Sequence, residues 1–303
     1  MLKKFISCII ILFTILSLQT MFSGCKNRDD IDDIIIDGLK TQKVVINEES
    51  INEIISSFSS PVEMAALMSS LNVPFSRRYL IDPSITEKYD TNNKKAFALG
   101  ILSADLGYLN VYERSSLIVE YLSAIKRLAD DLRISQFFDF HSLKRIATSN
   151  ENIDSLLFLS VRSFQDMDAH LRESARSNLS LLVITGVWIE SLYLLTQVAN
   201  EIETEKLTER IGEQKILLNM LYPVLKIYQE DPYFKDLVEE LKELHKIYEG
   251  VKISYQVGEP ETLIIDGRLT IIQNEKSIIE MNEEQLKQII LITEKIRNKQ
   301  INL

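Results

Sequence analysis

Cysteine is nearly missing from this chain. Two occur in 303 residues, Cys8 and Cys25, both within the first 25 positions. Everything after Cys25 therefore lacks a disulfide, a thiol nucleophile and a thiolate metal ligand. Its stability must come from a hydrophobic core, which a chain of this length can supply. Histidine is almost as rare. His141, His170 and His245 are far apart in sequence, and no pair of histidines or cysteines has ligand spacing, so no metal and no cofactor is expected. Glycine (9 residues) and proline (6 residues) are too few for a turn-rich all-β fold and favour long helices. A P-loop, a Gly-rich nucleotide fingerprint and a Gly-x-Ser-x-Gly elbow are all lacking. Positive charge is in deficit, with 34 basic residues against 44 acidic ones and a net charge of −10. That balance gives no help to nucleic-acid binding, which needs basic patches for the phosphates, and no nucleic-acid partner is expected.

What is present begins at the amino terminus. Lys3 and Lys4 precede an apolar run from Phe5 to about Leu18, and the small residues Ser23 and Gly24 stand just before Cys25. A basic start, an apolar middle and a small-residue cleavage site are the parts of a secretory signal peptide, here residues 1–24. Membrane spans need about 20 apolar residues, and this run is shorter and interrupted by Ser17, Gln19 and Thr20. The segment Phe22-Ser23-Gly24-Cys25 resembles the lipobox of bacterial lipoproteins, with Phe22 where leucine is usual. The resemblance implies a diacylglyceryl group on the Cys25 sulfur, cleavage before Cys25 and attachment to a membrane. Stable anchoring needs two or more acyl chains at about 0.8 kcal/mol per buried methylene, and a lipidated cysteine supplies them. Cleavage would remove two lysines and no acid, leaving 32 basic against 44 acidic residues and a charge of −12.

Residues 25–46 then read as an acidic tether. Asp29, Asp30, Asp32 and Asp33 form a cluster soon after the cysteine. It resembles the surface-export signal of Bacteroidetes lipoproteins, and a solvated linker would have the same composition. The expected location is the cell envelope, on the outer membrane, at its periplasmic face or at the cell surface.

Residues 47–303 read as a mainly α domain, a multi-helix array of antiparallel helix pairs with a small β-hairpin near the C-terminus. Ile51, Ile54, Ile55 and Phe58 mark a helix over 48–58, capped by Asn47. Ser60-Pro61-Val62-Glu63 forms a capping box that opens a helix ending before Pro74. Residues 73–93 lack periodicity, which predicts either an ordered loop or a contribution to a site. Helices are expected at about 94–112, 115–133, 138–148, 152–175, 179–202, 205–229 and 232–248. In the fourth of these Leu156, Leu157, Phe158, Val161 and Phe164 are the expected buried part. The stretch 179–195 is apolar but broken by Thr185, Glu190 and Ser191, so it predicts a buried core helix and not a span. Pro223 predicts a kink or break, and Gly250 a helix end. Residues 251–281 hold alternating apolar runs flanking Asp266-Gly267, a hairpin signal. Asn282 with Gln285 opens a last helix carrying Leu286, Ile289, Ile290 and Ile296. Sliding the chain by 85 residues sets Asp105 on Glu190, Tyr108 on Tyr193 and Leu109 on Leu194. That suggests a duplicated unit, about 94–176 and 179–250.

Two carboxylates interrupt apolar helices. Asp105 sits among Gly100, Ser103, Ala104 and Gly107, and Glu190 follows Gly186-Val187-Trp188-Ile189. Facing inward together, their pKa values would rise and they could act as acid and base, as in glycoside hydrolysis. Alternatively each lies at a helix edge or bonds a nearby Arg or Tyr, in a structural role. Tyr108, Tyr112, Trp188 and Tyr193 are candidates to line a ligand pocket, though aromatics at helical spacing also build cores.

The run 93–132, with Leu99-Gly100, Ala104-Asp105-Leu106-Gly107-Tyr108 and Tyr121-Leu122, and the Ser-Asn-Leu-Ser run at 177–180, resemble uncharacterised helical lipoproteins of Bacteroidetes. The resemblance carries no activity. The Leu-Gly…Tyr start is similar to tetratricopeptide repeats, but no 34-residue period recurs. The function expected is a non-enzymatic envelope lipoprotein that binds a protein partner or small ligand. The rivals are a hydrolase or lyase using Asp105 and Glu190, and a structural component of an envelope complex.

Overall fold

The computed structural model describes residues 61–149, 153–202, 204–258, 261–265, 268–272 and 275–302. The expected signal peptide, Cys25, the tether and the helix at 48–58 lie outside these residues. Helix α1 spans Pro61–Ser70. A connector follows, containing 3₁₀ turns at Arg77–Tyr79 and Pro83–Lys88. Then come α2 (Asn92–Val111), α3 (Ser115–Asp131), α4 (Phe140–Ser149), α5 (Ile153–Glu173), α6 (Ser177–Glu201), α7 (Glu205–Ile227) and α8 (Pro232–Glu249). Strands β1 (Lys252–Val257), β2 (Glu261–Ile265), β3 (Arg268–Ile272) and β4 (Glu275–Glu280) precede the last helix, α9 (Glu283–Ile301). The mainly helical reading with a small C-terminal β element is therefore observed.

The starts of these helices follow from capping chemistry. Thr91 accepts the Lys94 N–H, Thr204 that of Leu207 and Asp231 that of Tyr233. Asn282 and Gln285 form the reciprocal box expected of them. The ends are less ordinary. Asn72, Glu113, Arg133 and Ala175 all have φ between 55° and 58°. Each is followed by an N–H that reaches back five residues: Val73 to Met68, Arg114 to Leu109, Ile134 to Ala129, Arg176 to Leu171. These are Schellman closures, normally built on glycine. In a chain this poor in glycine, ordinary L residues take the left-handed position instead. Gly250 caps α8 with φ −75°, so it is not there for a left-handed turn. What it supplies is space, since a Cβ would stand 2.7 Å from Gln285 Nε2. Helix α7 continues through Pro223 without the expected break. The proline lies in the penultimate turn of the helix.

Helices joined by short links fold back on each other. Lys95 at the start of α2 meets Asp131 at the end of α3 at 2.6 Å. Tyr228 at the end of α7 packs on Phe234 at the start of α8. Residues 295, 299 and 300 of α9 meet Glu243 and Glu240 of α8 in reversed order. The centre is made differently. Helices α2 and α6 form the most extensive pairing, and they run in the same direction. Gly100 lies against Val183–Val187, and five residues later in each helix Asp105 meets Glu190. A Cβ on Gly100 would fall 2.2 Å from the Val183 carbonyl oxygen, and one on Gly186 2.2 Å from that of Phe97. The missing side chains thus set the helix spacing. Helix α6, apolar along most of its length, is buried in this core.

Strand β1 pairs antiparallel with β4 in register Lys252↔Glu280 to Val257↔Glu275. Strand β2 pairs antiparallel with β3 in register Glu261↔Ile272 to Ile265↔Arg268, while Asp266 and Gly267 themselves lie outside the described residues. β4 rests on α7, where Ile279 occupies the space above Gly212. One packing expectation is corrected. Phe158 and Val161 of α5 are not core: they are 67% and 40% exposed. Phe164 is half-buried against the core, and the side chains of Leu156 and Leu157 lie outside the description. Phe158 and Val161 are one turn apart, so helical spacing groups them on one face without saying whether that face is covered.

Candidate functional site

Asp105 and Glu190 are both fully buried and both face inward, at the centre of the α2–α6 pairing. Neither lies at a helix edge. They are joined by a residue that the sequence did not single out, Arg297 of α9. Its Nε donates to Glu190 Oε2 at 2.9 Å and its Nη2 to Glu190 Oε1 at 2.9 Å, a two-point fork on the carboxylate. Nη2 also donates to the Tyr79 carbonyl at 3.1 Å, and the guanidinium lies 4.3 Å from the Tyr193 ring centroid. Burial alone would depress the Arg297 pKa, but the Glu190 charge and its hydrogen bonds outweigh that and raise it. Asp105 Oδ2 accepts the Ile81 N–H at 3.1 Å. Burial, and then the Glu190 charge, hold the Asp105 pKa well above the usual carboxylate range.

The cluster organises the connector as well as the helices. The main chain from 73 to 81 is held almost point by point by side chains of the helical body. Tyr112 O–H donates to Val73 O at 2.9 Å, and the Ser76 N–H donates to Tyr108 Oη at 3.0 Å. Arg297 takes Tyr79 O and Asp105 takes Ile81 N, while Tyr121 O–H closes on Ile81 O. Tyr89 O–H donates to Ile301 O at 2.9 Å, and burial pushes that phenol up to about 12. An irregular segment can be buried only if its backbone polar groups find partners. Here tyrosines and the charged cluster provide them.

The four aromatic candidates fall into three settings. Tyr108 and Tyr112 pack with Phe75, with ring centroids 4.7–5.9 Å apart, and strap the connector. Tyr193 supports Arg297. Trp188 is fully buried and donates from Nε1 to Gln214 Oε1 at 3.2 Å. A separate depression of about 440 Å³ is lined by Thr86, Glu87, Lys95, Arg127, Asp130 and Asp131, with Tyr89 and Leu128 at its floor. Its charges are paired, Lys95 with Asp131 at 2.6 Å, Arg127 with Glu87 at 3.8 Å, and Asp130 with Lys126 beyond the lining at 2.6 Å. None of the candidate residues lines it. Among the described residues no three His, Cys, Asp or Glu side chains are grouped to hold a metal ion.

Arg297 left a signal in the sequence. It lies on the α9 face that carries Ile289, Thr293, Ile296 and Gln300, all buried. A cation on an apolar stripe requires an acid in the same core, and two unpaired acids had already been picked out. Comparison of the chain with protein-family models, with curated proteins and with solved structures finds no match to any.

Proposed function

We propose that this chain is a lipid-anchored protein of the bacterial envelope whose helical body works by binding a protein partner and not by catalysis. One observation carries the non-catalytic part. The two carboxylates that could have formed an acid–base pair are sealed from solvent, and Glu190 is claimed by Arg297 through two hydrogen bonds. A general acid or base must reach a substrate proton, and this pair reaches only its own chain. The partner reading is favoured by Phe158 and Val161, apolar side chains exposed one turn apart on α5. The anchor rests on Phe22–Cys25 and on a body without cysteine, which suits an oxidising compartment without needing a disulfide.

The test is isolation of the tagged full-length protein from detergent-solubilised envelopes, beside a Phe158→Ser, Val161→Ser variant. The expected outcome is a defined co-purifying protein that the variant loses while keeping the wild-type thermal stability. Identical recovery with both forms, or recovery of the chain alone, would overturn the partner reading. Mass analysis of the tryptic amino-terminal peptide tests the anchor independently, by looking for acyl chains on Cys25 and their loss in Cys25→Ala.

A further inference from the structure

Asp105, Glu190 and Arg297 form a closed set with two acids and one cation. All three are at most 5% exposed. The donors of Arg297 are committed: Nε and Nη2 to Glu190, Nη2 also to Tyr79 O, and Nη1 to Asn298 Oδ1 at 3.4 Å. Asp105 Oδ2 has the Ile81 N–H, but Asp105 Oδ1 is buried and faces no donor. The groups turned toward Asp105 are Glu190 and Tyr193 from α6, Arg297 from α9 and Tyr121 from α3, with Tyr89 of the connector beside Glu190 and Arg297. Arg297 is the one cation among them. The Tyr121 hydroxyl is spent on Ile81 O. With both acids ionised, the set would carry an unbalanced negative charge with no water to solvate it, which is strongly unfavourable.

We propose that the cluster permanently holds one proton, on Asp105, donated to Glu190, and that this proton keeps the connector seated on the helical body. With it the set is neutral and Asp105 gains the bond its free oxygen lacks. Without it two carboxylates face one guanidinium inside a dry site. The connector is the part of the seal that is not regular helix, and the same cluster holds it at Tyr79 O and Ile81 N. Loss of the proton therefore strains the contacts that fix residues 76–81. The direction with pH follows. The unfolded chain releases this proton near pH 4, whereas the folded protein retains it to higher pH. The stabilisation is complete below about pH 4 and is lost as pH rises through the folded-state value.

Asp105→Asn is the diagnostic variant, because its amide N–H can donate to Glu190 as the protonated acid does but cannot ionise. Infrared spectra of the full-length protein at pH 7 should contain the C=O stretch of a protonated carboxylic acid, and Asp105→Asn should lack it. Nicking by trypsin after Arg77 and Arg78, taken as the wild-type to variant ratio at each pH, should rise about tenfold per pH unit between about pH 4 and the folded-state value and level off above it. A spectrum with no protonated carboxyl at pH 7 overturns the proposal on the unmodified protein alone, even if the variant does not fold. A wild-type to variant ratio that is flat between pH 6 and 9, together with an acid band that persists in Asp105→Asn, overturns it as well.

Discussion

Where α2 crosses α6, the space a glycine Cβ would need is filled by a backbone carbonyl; where β4 crosses α7, it is filled by the γ2 methyl of Ile279. The two obstructions are nearly equal in distance, 2.2 Å from a Cβ placed on Gly100 to Val183 O and 2.3 Å from one placed on Gly212 to Ile279 Cγ2. Their consequences are not. The first crossing lies in the middle of the core, beside a sealed charged cluster, and both partners are long helices held on several sides. The second attaches a two-stranded ribbon, and among the described residues β2 and β3 make no extended contact with a helix. An isolated pair of strands is marginally stable and depends on what it rests upon. Rigidity in this molecule is therefore concentrated at α2–α6–α9 and decreases toward the ribbon. Each prediction below probes one side of that contrast.

The largest effect is expected at Arg297. Arg297→Met removes the cation and leaves the Glu190 charge buried without a counter-charge, for which about 3–5 kcal/mol is lost. Urea denaturation of the full chain should show a large fall in midpoint. Adding Glu190→Leu to the same variant should recover much of it, because an apolar pair of similar size replaces a buried ion pair at little cost. If Arg297→Met lowers stability by less than about 1 kcal/mol, the centre is not sealed as described and the contrast with the periphery collapses.

The second test compares two glycines directly. Gly100→Ala forces a methyl into the main chain of α6 and requires the helices to separate, with an expected cost of about 1–3 kcal/mol or more. Gly212→Ala meets the γ2 methyl of Ile279, which gives way only if Ile279 changes χ1 or β4 shifts, a smaller rearrangement than parting two helices. Alanine is better in a helix interior by about 1 kcal/mol, so this variant should be close to neutral. Thermal unfolding of both proteins decides the matter. Equal losses would mean that the ribbon is held as rigidly as the central crossing.

Much of this arrangement could be read in the sequence, and the misses have identifiable causes. The start of the last helix was legible because Asn282 acts locally, through a hydrogen bond to the N–H three residues away. Helix ends at Asn72, Glu113, Arg133 and Ala175 were not signalled by glycine, since L residues occupy the left-handed position. Burial of α5 was misjudged at Phe158 and Val161, because periodicity identifies a face but not its neighbour. Asp105 and Glu190 stood out as charges in apolar helices. The partner of Glu190 was obscured by the 107 residues of chain between it and Arg297. The connector was recognisable as non-periodic, yet its seating depends on tyrosines from α2 and α3, and no local pattern encodes that.

The smallest effect is expected at the other arginine–glutamate pair that ties the connector to α6. Arg78 and Glu201 are hydrogen-bonded like Arg297 and Glu190, and the chemistry of the two pairs is the same. Their surroundings differ. The Arg78 and Glu201 side chains are 69% and 39% exposed, against 6% and 0% for the buried pair. In water the charges are already solvated, and holding two long side chains together costs entropy that offsets the attraction, so an exposed pair is worth about 0–1 kcal/mol. Arg78→Ala should shift the urea midpoint little, and the shift should shrink further as salt is added. Arg78 also lies 5.5 Å from the Tyr79 ring centroid, so some loss of contact is included in that figure. A loss at Arg78 comparable to that at Arg297 would show that the connector is anchored from its exposed side, and that the buried cluster is not what holds it down.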